Sequence, residues 1–165
     1  MEELIRQIRA AKDAGLFYLA LMGALLLVDI CGALASENGR ATGVKFKEWL
    51  RTNVPENAAD AEILYGLRCS LLHQGSMYPH GAHPPVACTF PHPAVPQLHR
   101  VLTEVGGDQM AWLSIPIFVE EIIGGAEVWF SKYGASARVK RNMEKFARLR
   151  PEGLPPHVVG APVIA

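Results

Sequence analysis

Two side chains able to move protons and hold anionic oxygens lie five residues apart in an otherwise apolar stretch. They are Arg68 and His73, within Tyr65-Gly-Leu-Arg68-Cys69-Ser-Leu-Leu72-His73-Gln74-Gly75. An imidazole titrates near neutral pH, so His73 suits general acid or base work. Arg68 is permanently charged and presents a planar fork of donors, which suits charge developing on phosphoryl oxygens. At about 100° per helical residue, five steps set the two side chains roughly 140° apart. Such a pair does not meet easily on one helix. Two copies of the helix end facing each other across a two-fold axis would bring both pairs together, in a homodimer. The competing reading is plain helix termination, with His73 bonding the last carbonyls and Arg68 paired to a carboxylate.

Supporting groups surround the pair. Asp29 sits amid Leu25–Val28 and Ile30, so it must be paired, protonated or at a solvated seam. It either orients Arg68 or His73, or makes a structural ion pair with another arginine such as Arg40. Tyr65, one turn before Arg68, can reach a phosphate or a base. A ring in the core with its hydroxyl at the rim is the commoner arrangement for tyrosine. Gln74 either donates to a substrate or caps the helix, and capping is favoured. His80, His83, His92 and His99, with Cys88, lack the paired spacing of zinc ligands. A proline-rich surface loop is expected there, and no metal. No P-loop, dinucleotide fingerprint or G-x-S-x-G occurs, so no cofactor is expected.

The elements that must position these groups are mainly helical. Residues 3–13 are amphipathic, with Leu4, Ile5 and Ile8 on one side. After a break near Gly15, the apolar run from Leu16 to Ala35 reads as the central helix of a bundle. Its length would also span a bilayer, but Asp29 inside it costs about 2.5–3.5 kcal/mol on insertion scales. A buried core helix is therefore expected, and no membrane association. Ser36–Gly43 is a loop, with Thr42 or Gly43 capping a short helix that turns Phe46, Trp49 and Leu50 inward. Pro55 and Glu56 signal a helix start. That helix runs from about Asn57 to His73, buries Leu64, Leu67 and Leu71, and stops at Gly75.

Ser76–Pro96 is rich in proline, which argues against helix. Strands are expected over 86–90, 98–105 and 110–114, with a turn at Gly106-Gly107-Asp108, forming a small antiparallel sheet. A helix over 95–105 is the main alternative. From Pro116 a helix carries Phe118, Val119, Ile122, Ala126 and Trp129 on its apolar face. Between Lys132 and Arg150 seven basic residues face one acid, Glu144. That run is read as a solvated terminal helix or a partner for RNA phosphates. Residues 1–150 thus form one helical domain with a β insertion at about 86–114, and 151–165 form a proline-rich irregular tail.

The totals fit a single soluble domain. Among 165 residues, half are apolar and 19% charged, with 16 acids balancing 16 bases. Zero net charge argues against nonspecific coating of nucleic acid. Three cysteines without CxxC spacing are read as reduced thiols in the cytoplasm. The opening Met-Glu-Glu is not that of a secretory signal.

Arg-x-x-x-x-His near a helix end, in an apolar helical bundle, resembles the HEPN superfamily of small helical ribonucleases and nucleotide-binding domains. The likeness extends to Val28-Asp29-Ile30-Cys31-Gly32, to Trp49, to the whole Tyr65–Gly75 block, and to Ile115-Pro-Ile-Phe-Val-Glu-Glu followed by Trp129. These pieces span roughly residues 15–130 and resemble one bacterial HEPN subgroup. The resemblance implies a helical bundle, a homodimer with Arg68/His73 pairs facing across the axis, and metal-independent cleavage of RNA. It also implies toxin–antitoxin or antiphage systems, with an antitoxin protein as partner. Active members of the family usually carry Asn, Asp or His directly after the arginine, where this chain has Cys69. That residue favours the alternative, a catalytically silent module binding RNA, a nucleotide or a protein partner.

Overall fold

The computed structural model describes residues 1–94 and 96–165, and the fold is mainly α. Helix α1 (Glu2–Asp13) ends before Gly15, whose positive φ lets the chain turn into α2 (Phe17–Ala35). Helix α2 is the axis of the bundle. It touches α1, α3 (Gly43–Asn53), α4 (Ala61–Gln74), α5 (Ile115–Tyr133) and α6 (Ala137–Met143). By length and composition α2 alone among the described helices could cross a membrane, yet more than half of its most apolar window is buried by its neighbours. An apolar helix is stable in that setting because most of its surface meets other helices.

Local chemistry sets the boundaries. Thr42 accepts from Lys45 N at 3.2 Å and starts α3, which buries Phe46, Trp49 and Leu50. Pro55–Asn57 form a single 3-10 turn, and α4 begins only at Ala61. The helix expected from Asn57 is thus shorter. Asn57 is fully buried and spends its side chain on Glu121 of α5, at 2.7 Å, which pins it outside α4. At the other end Gly75 adopts φ 65°, and the N–H groups of Gly75 and Ser76 return to the carbonyls of Leu71 and Ser70. This backbone stop closes α4 without any side-chain cap.

The sheet corrects one expectation. Strands β1 (Val86–Thr89), β2 (Val101–Val105) and β3 (Asp108–Ser114) lie in the order β1-β3-β2. Strands β2 and β3 form the antiparallel hairpin across Gly106-Gly107, but β1 pairs with β3 in parallel, Val86 opposite Ala111. The sheet is therefore mixed, not antiparallel. The connection from β1 to β2 is long enough to carry the chain past β3 to its far edge, so no hairpin is forced. The alternative of a helix over 95–105 begins on Val95, outside the described residues; from Val101 the chain is strand. Strand β3 runs directly into α5, where Pro116 occupies the first turn.

The C-terminal part departs further. Helix α6 covers only Ala137–Met143, not the whole basic run. Two of its cations are used at the end of α2 and the loop just after it: Arg138 donates to Ala35 O at 3.4 Å and Arg141 to Glu37 O at 3.1 Å. Asn142 adds bonds to Leu34 O and Ser36 O at 3.0 and 2.8 Å. Helix α2 has no basic residue in its own last turn, so α6 supplies the groups that satisfy its terminal carbonyls. The tail is not irregular throughout. It forms two short antiparallel ladders, β4 (Leu149–Arg150) with β7 (Val163–Ile164) and β5 (Gly153–Leu154) with β6 (Val158–Val159).

Candidate functional site

The last two turns of α4 carry the candidate site, and α2 supplies its buried base. Leu64, Leu67 and Leu71 turn into the core, which fixes the rotation of α4 and leaves Arg68 on the flank facing α2. There the Arg68 Nε donates to Asp29 Oδ2, while Arg68 Nη1 lies 3.3 Å from His73 Nε2. Carboxylate, guanidinium and imidazole thus form one continuous chain that runs from the interior to the surface. Asp29 is buried, Arg68 half-buried and His73 exposed.

The contact between Arg68 and His73 within one chain differs from the angular expectation. Counting 100° steps treats side chains as spokes of equal, short length. Side chains on a helix lean back toward its N-terminus. The His73 ring therefore leans down over the preceding turn, and the long Arg68 arm reaches up to it. A guanidinium can only donate, so His73 Nε2 is the acceptor in this contact and the ring proton sits on Nδ1.

Electrostatics at the base of the chain are opposed. Burial pushes the Asp29 carboxyl above its ordinary value, and the charge and hydrogen bond of Arg68 pull it back. A permanently charged fork in direct contact favours the ionised form of the carboxylate. Arg40, the other arginine considered for Asp29, lies elsewhere in the loop after α2, its backbone N–H bonded to Ser36 Oγ at 3.1 Å.

Tyr65 and Cys69 join the cluster from the α3 side. The Tyr65 phenol is pushed upward, first through its hydrogen bond with Cys69 and then through burial. Its ring packs 5.5 Å from that of Phe46, and Lys47 Nζ stands 5.7 Å from its centroid. Gly43 makes this packing possible, because a Cβ there would fall 2.5 Å from Tyr65 Cζ. Tyr65 therefore packs its ring against α3. Cys69, half-buried, follows Arg68 directly and lies one turn past Tyr65 on α4. Gln74 is exposed and makes no side-chain hydrogen bond among the described residues; Gly75, not Gln74, ends the helix.

The face of α2 that holds Asp29 continues as a stripe at helical spacing: Asp29, Leu26, Met22 and Leu19. Leu26 is 41% exposed and Leu19 58% exposed, large values for leucines on the most apolar helix of the chain. Tyr18, also exposed, comes close to Gly75 at the His73 end of α4. The stripe thus adjoins the site.

A second polar network, which sequence reasoning did not connect, joins His99 to Asn57, Arg100 and Glu121. Glu121 of α5 accepts from Asn57 at 2.7 Å and from His99 Nε2 at 3.2 Å, and pairs with Arg100 Nη1 at 3.3 Å. Ser114 N donates to His99 Nδ1 at 3.2 Å, which fixes the remaining ring proton on Nε2. The sequence signal for Glu121 was an acid set between the apolar positions Phe118 and Ile122. Among the described residues no group of three or more His, Cys, Asp or Glu side chains could hold a metal ion. All three cysteines are free; burial pushes the Cys88 thiol up to about 12 and that of Cys31 higher still.

No family model, no curated protein and no solved structure matches this chain.

Proposed function

We propose that the chain is a HEPN-type endoribonuclease that cleaves RNA through attack of its own 2′-OH, at a site completed by a homodimer. The observation that carries this reading is the chain from Asp29 through Arg68 to His73. A buried carboxylate orients a fork, and the fork in turn meets an exposed imidazole at a helix end.

The chemistry follows from what each group can do. In the resting site an Arg68 N–H occupies the lone pair of His73 Nε2. A phosphodiester entering the cleft offers stronger, anionic acceptors to the guanidinium. Arg68 then turns to the phosphate, and Nε2 is released to take the 2′-OH proton. The 2′ oxygen attacks phosphorus and the P–O5′ bond breaks. A protonated histidine of the second protomer delivers the proton to the 5′ oxygen, leaving a 2′,3′-cyclic phosphate and a 5′-OH. The two Arg68 forks balance charge on the pentacoordinate phosphorus, so no metal is needed.

Support for the dimer comes from the exposed Leu19 and Leu26 beside Asp29, an apolar stripe of the kind that a two-fold contact buries. In this reading the protein acts in the cytoplasm as a growth-inhibiting or defence effector restrained by an antitoxin protein. Cys69 favours the second reading, a silent module binding RNA, a nucleotide or a protein partner, because a thiol directly after Arg68 brings no ionised or strongly polar group to the phosphate. Expression in a bacterial host separates the two. Growth arrest by the wild type that disappears with Arg68→Ala supports the nuclease; unaltered growth with both chains supports the silent module.

A further inference from the structure

A cavity of about 290 Å³ lies between the N-terminal half of α4 and the three-stranded sheet, away from His73. Leu64, Val86 and Leu113, all buried, form its apolar wall, and Trp112 gives it an aromatic side. Asp60, Glu62 and Arg100 stand around it. His83 also lines it.

The charges there are unequally served. Both Glu62 oxygens are taken, by Arg51 at 2.9 Å and Lys47 at 2.8 Å. Arg100 is committed to Glu121 at 3.3 Å. Asp60 stands at the N-cap of α4, where an aspartate ordinarily accepts from the first helical N–H groups. It makes no such bond, and among the described residues no donor meets its carboxylate. Burial also pushes the Asp60 carboxyl above its ordinary value, against the opposing pull of Arg100 and His99. An incompletely solvated carboxylate without a partner beside an apolar cavity is costly unless a ligand supplies the missing donors.

We infer that this cavity binds a small planar organic cation, its apolar ring between Leu64, Val86 and Trp112 and its paired N–H donors on the Asp60 carboxylate. An amidinium or guanidinium fits best, because two parallel N–H groups match two carboxylate oxygens. The volume lies at the lower end for ligand sites, which admits one ring with a short head group and excludes a whole nucleotide. Phosphates are disfavoured further by Asp60 and Glu62. The inference is independent of the ribonuclease reading, since it uses none of the residues of that site.

Isothermal titration of the full chain with benzamidine, benzamide and benzoate tests it. The three share a ring and differ in head-group charge. Benzamidinium is expected to bind saturably, benzamide about tenfold or more weaker, and benzoate not at all. Asp60→Asn, which keeps an N-cap residue, should bring benzamidinium down to the level of benzamide. Leu102→Trp, at an exposed position lining the cavity, should block all binding while leaving the core untouched. Absence of benzamidinium binding at millimolar concentration overturns the inference. So does equal binding of benzoate, or benzamidinium binding unchanged in Asp60→Asn.

Discussion

Arg68 Nη1 stands 3.3 Å from His73 Nε2, and the same guanidinium is held through Nε by Asp29 on a different helix. One fork therefore couples a buried carboxylate to the imidazole proposed for proton transfer. The distance between α2 and α4, set by Leu25, Val28, Leu67 and Leu71 in the core, becomes the setting of the site. Charge alone does not replace this arrangement, because a lysine has one donor point and cannot hold both partners at fixed angles.

Substitution at Arg68 tests that statement. Arg68→Lys is expected to lower single-turnover cleavage of RNA by about 10²-fold or more while the chain stays folded. Arg68→Ala should be inactive and also less stable by about 3 kcal/mol in urea unfolding, since it leaves Asp29 buried without its partner. Near-wild-type cleavage by Arg68→Lys would show that the fork is unnecessary.

The stripe beside the site yields a second expectation. Leu19→Asp with Leu26→Asp should shift sedimentation from dimer to monomer and abolish cleavage. Both leucines are exposed in the single chain, so each change should alter monomer stability by only about 0.5 kcal/mol. A monomer that still cleaves RNA would remove the two-fold site from the account.

Asp60 carries a pH signature. Its folded pKa is raised above the unfolded value of about 3.9, chiefly by burial. Above both values the carboxylate is charged in either state and only the folded chain bears the desolvation cost. As pH falls through the folded and then the unfolded value, that cost disappears. Asp60→Asn should therefore melt higher than wild type at pH 7, and the advantage should vanish below about pH 4. Thermal melts at a series of pH values read this directly; an Asn variant that melts lower at pH 7 would show that Asp60 has a partner.

The neighbouring glycines of α5 should respond oppositely to alanine. A Cβ at Gly124 meets nothing within 4 Å, whereas one at Gly125 falls 2.6 Å from Val54 Cγ2 and 2.7 Å from Asn53 O. Gly124→Ala should gain about 0.5–1 kcal/mol from the lower entropy of the unfolded helix. Gly125→Ala should lose about 1–3 kcal/mol, because α5 must back away from the end of α3. Denaturant midpoints of the two variants are the measurement.

Much of the frame is written locally in the sequence. The apolar spacing of Leu64, Leu67 and Leu71, the Thr42 cap and the Gly75 stop each act through near neighbours, so they could be read one segment at a time. Partners distant in sequence could not. Strand β1 joins β3 in parallel because of where an eleven-residue connection goes, which no pattern inside either strand records. Asn57 leaves α4 for Glu121, 64 residues away. Asp29 was legible as a carboxylate in need of a partner, but Arg68 and Arg40 were equal candidates until α2 and α4 were placed side by side. The Arg68 contact with His73 was hidden by a helical-wheel count that ignores the length and tilt of the side chains. Asp60 fell inside the helix expected from Asn57, and only the later start of α4 at Ala61 makes it an N-cap whose usual bond is missing.

The most direct measurement is end-group analysis of RNA incubated with purified wild-type and His73→Ala protein in EDTA. The wild type is predicted to leave 2′,3′-cyclic phosphate and 5′-OH termini, and His73→Ala to leave the RNA intact. Cleavage that persists in His73→Ala, or wild-type protein that never cuts RNA, would contradict the assignment of His73 as the proton-transfer group of a ribonuclease.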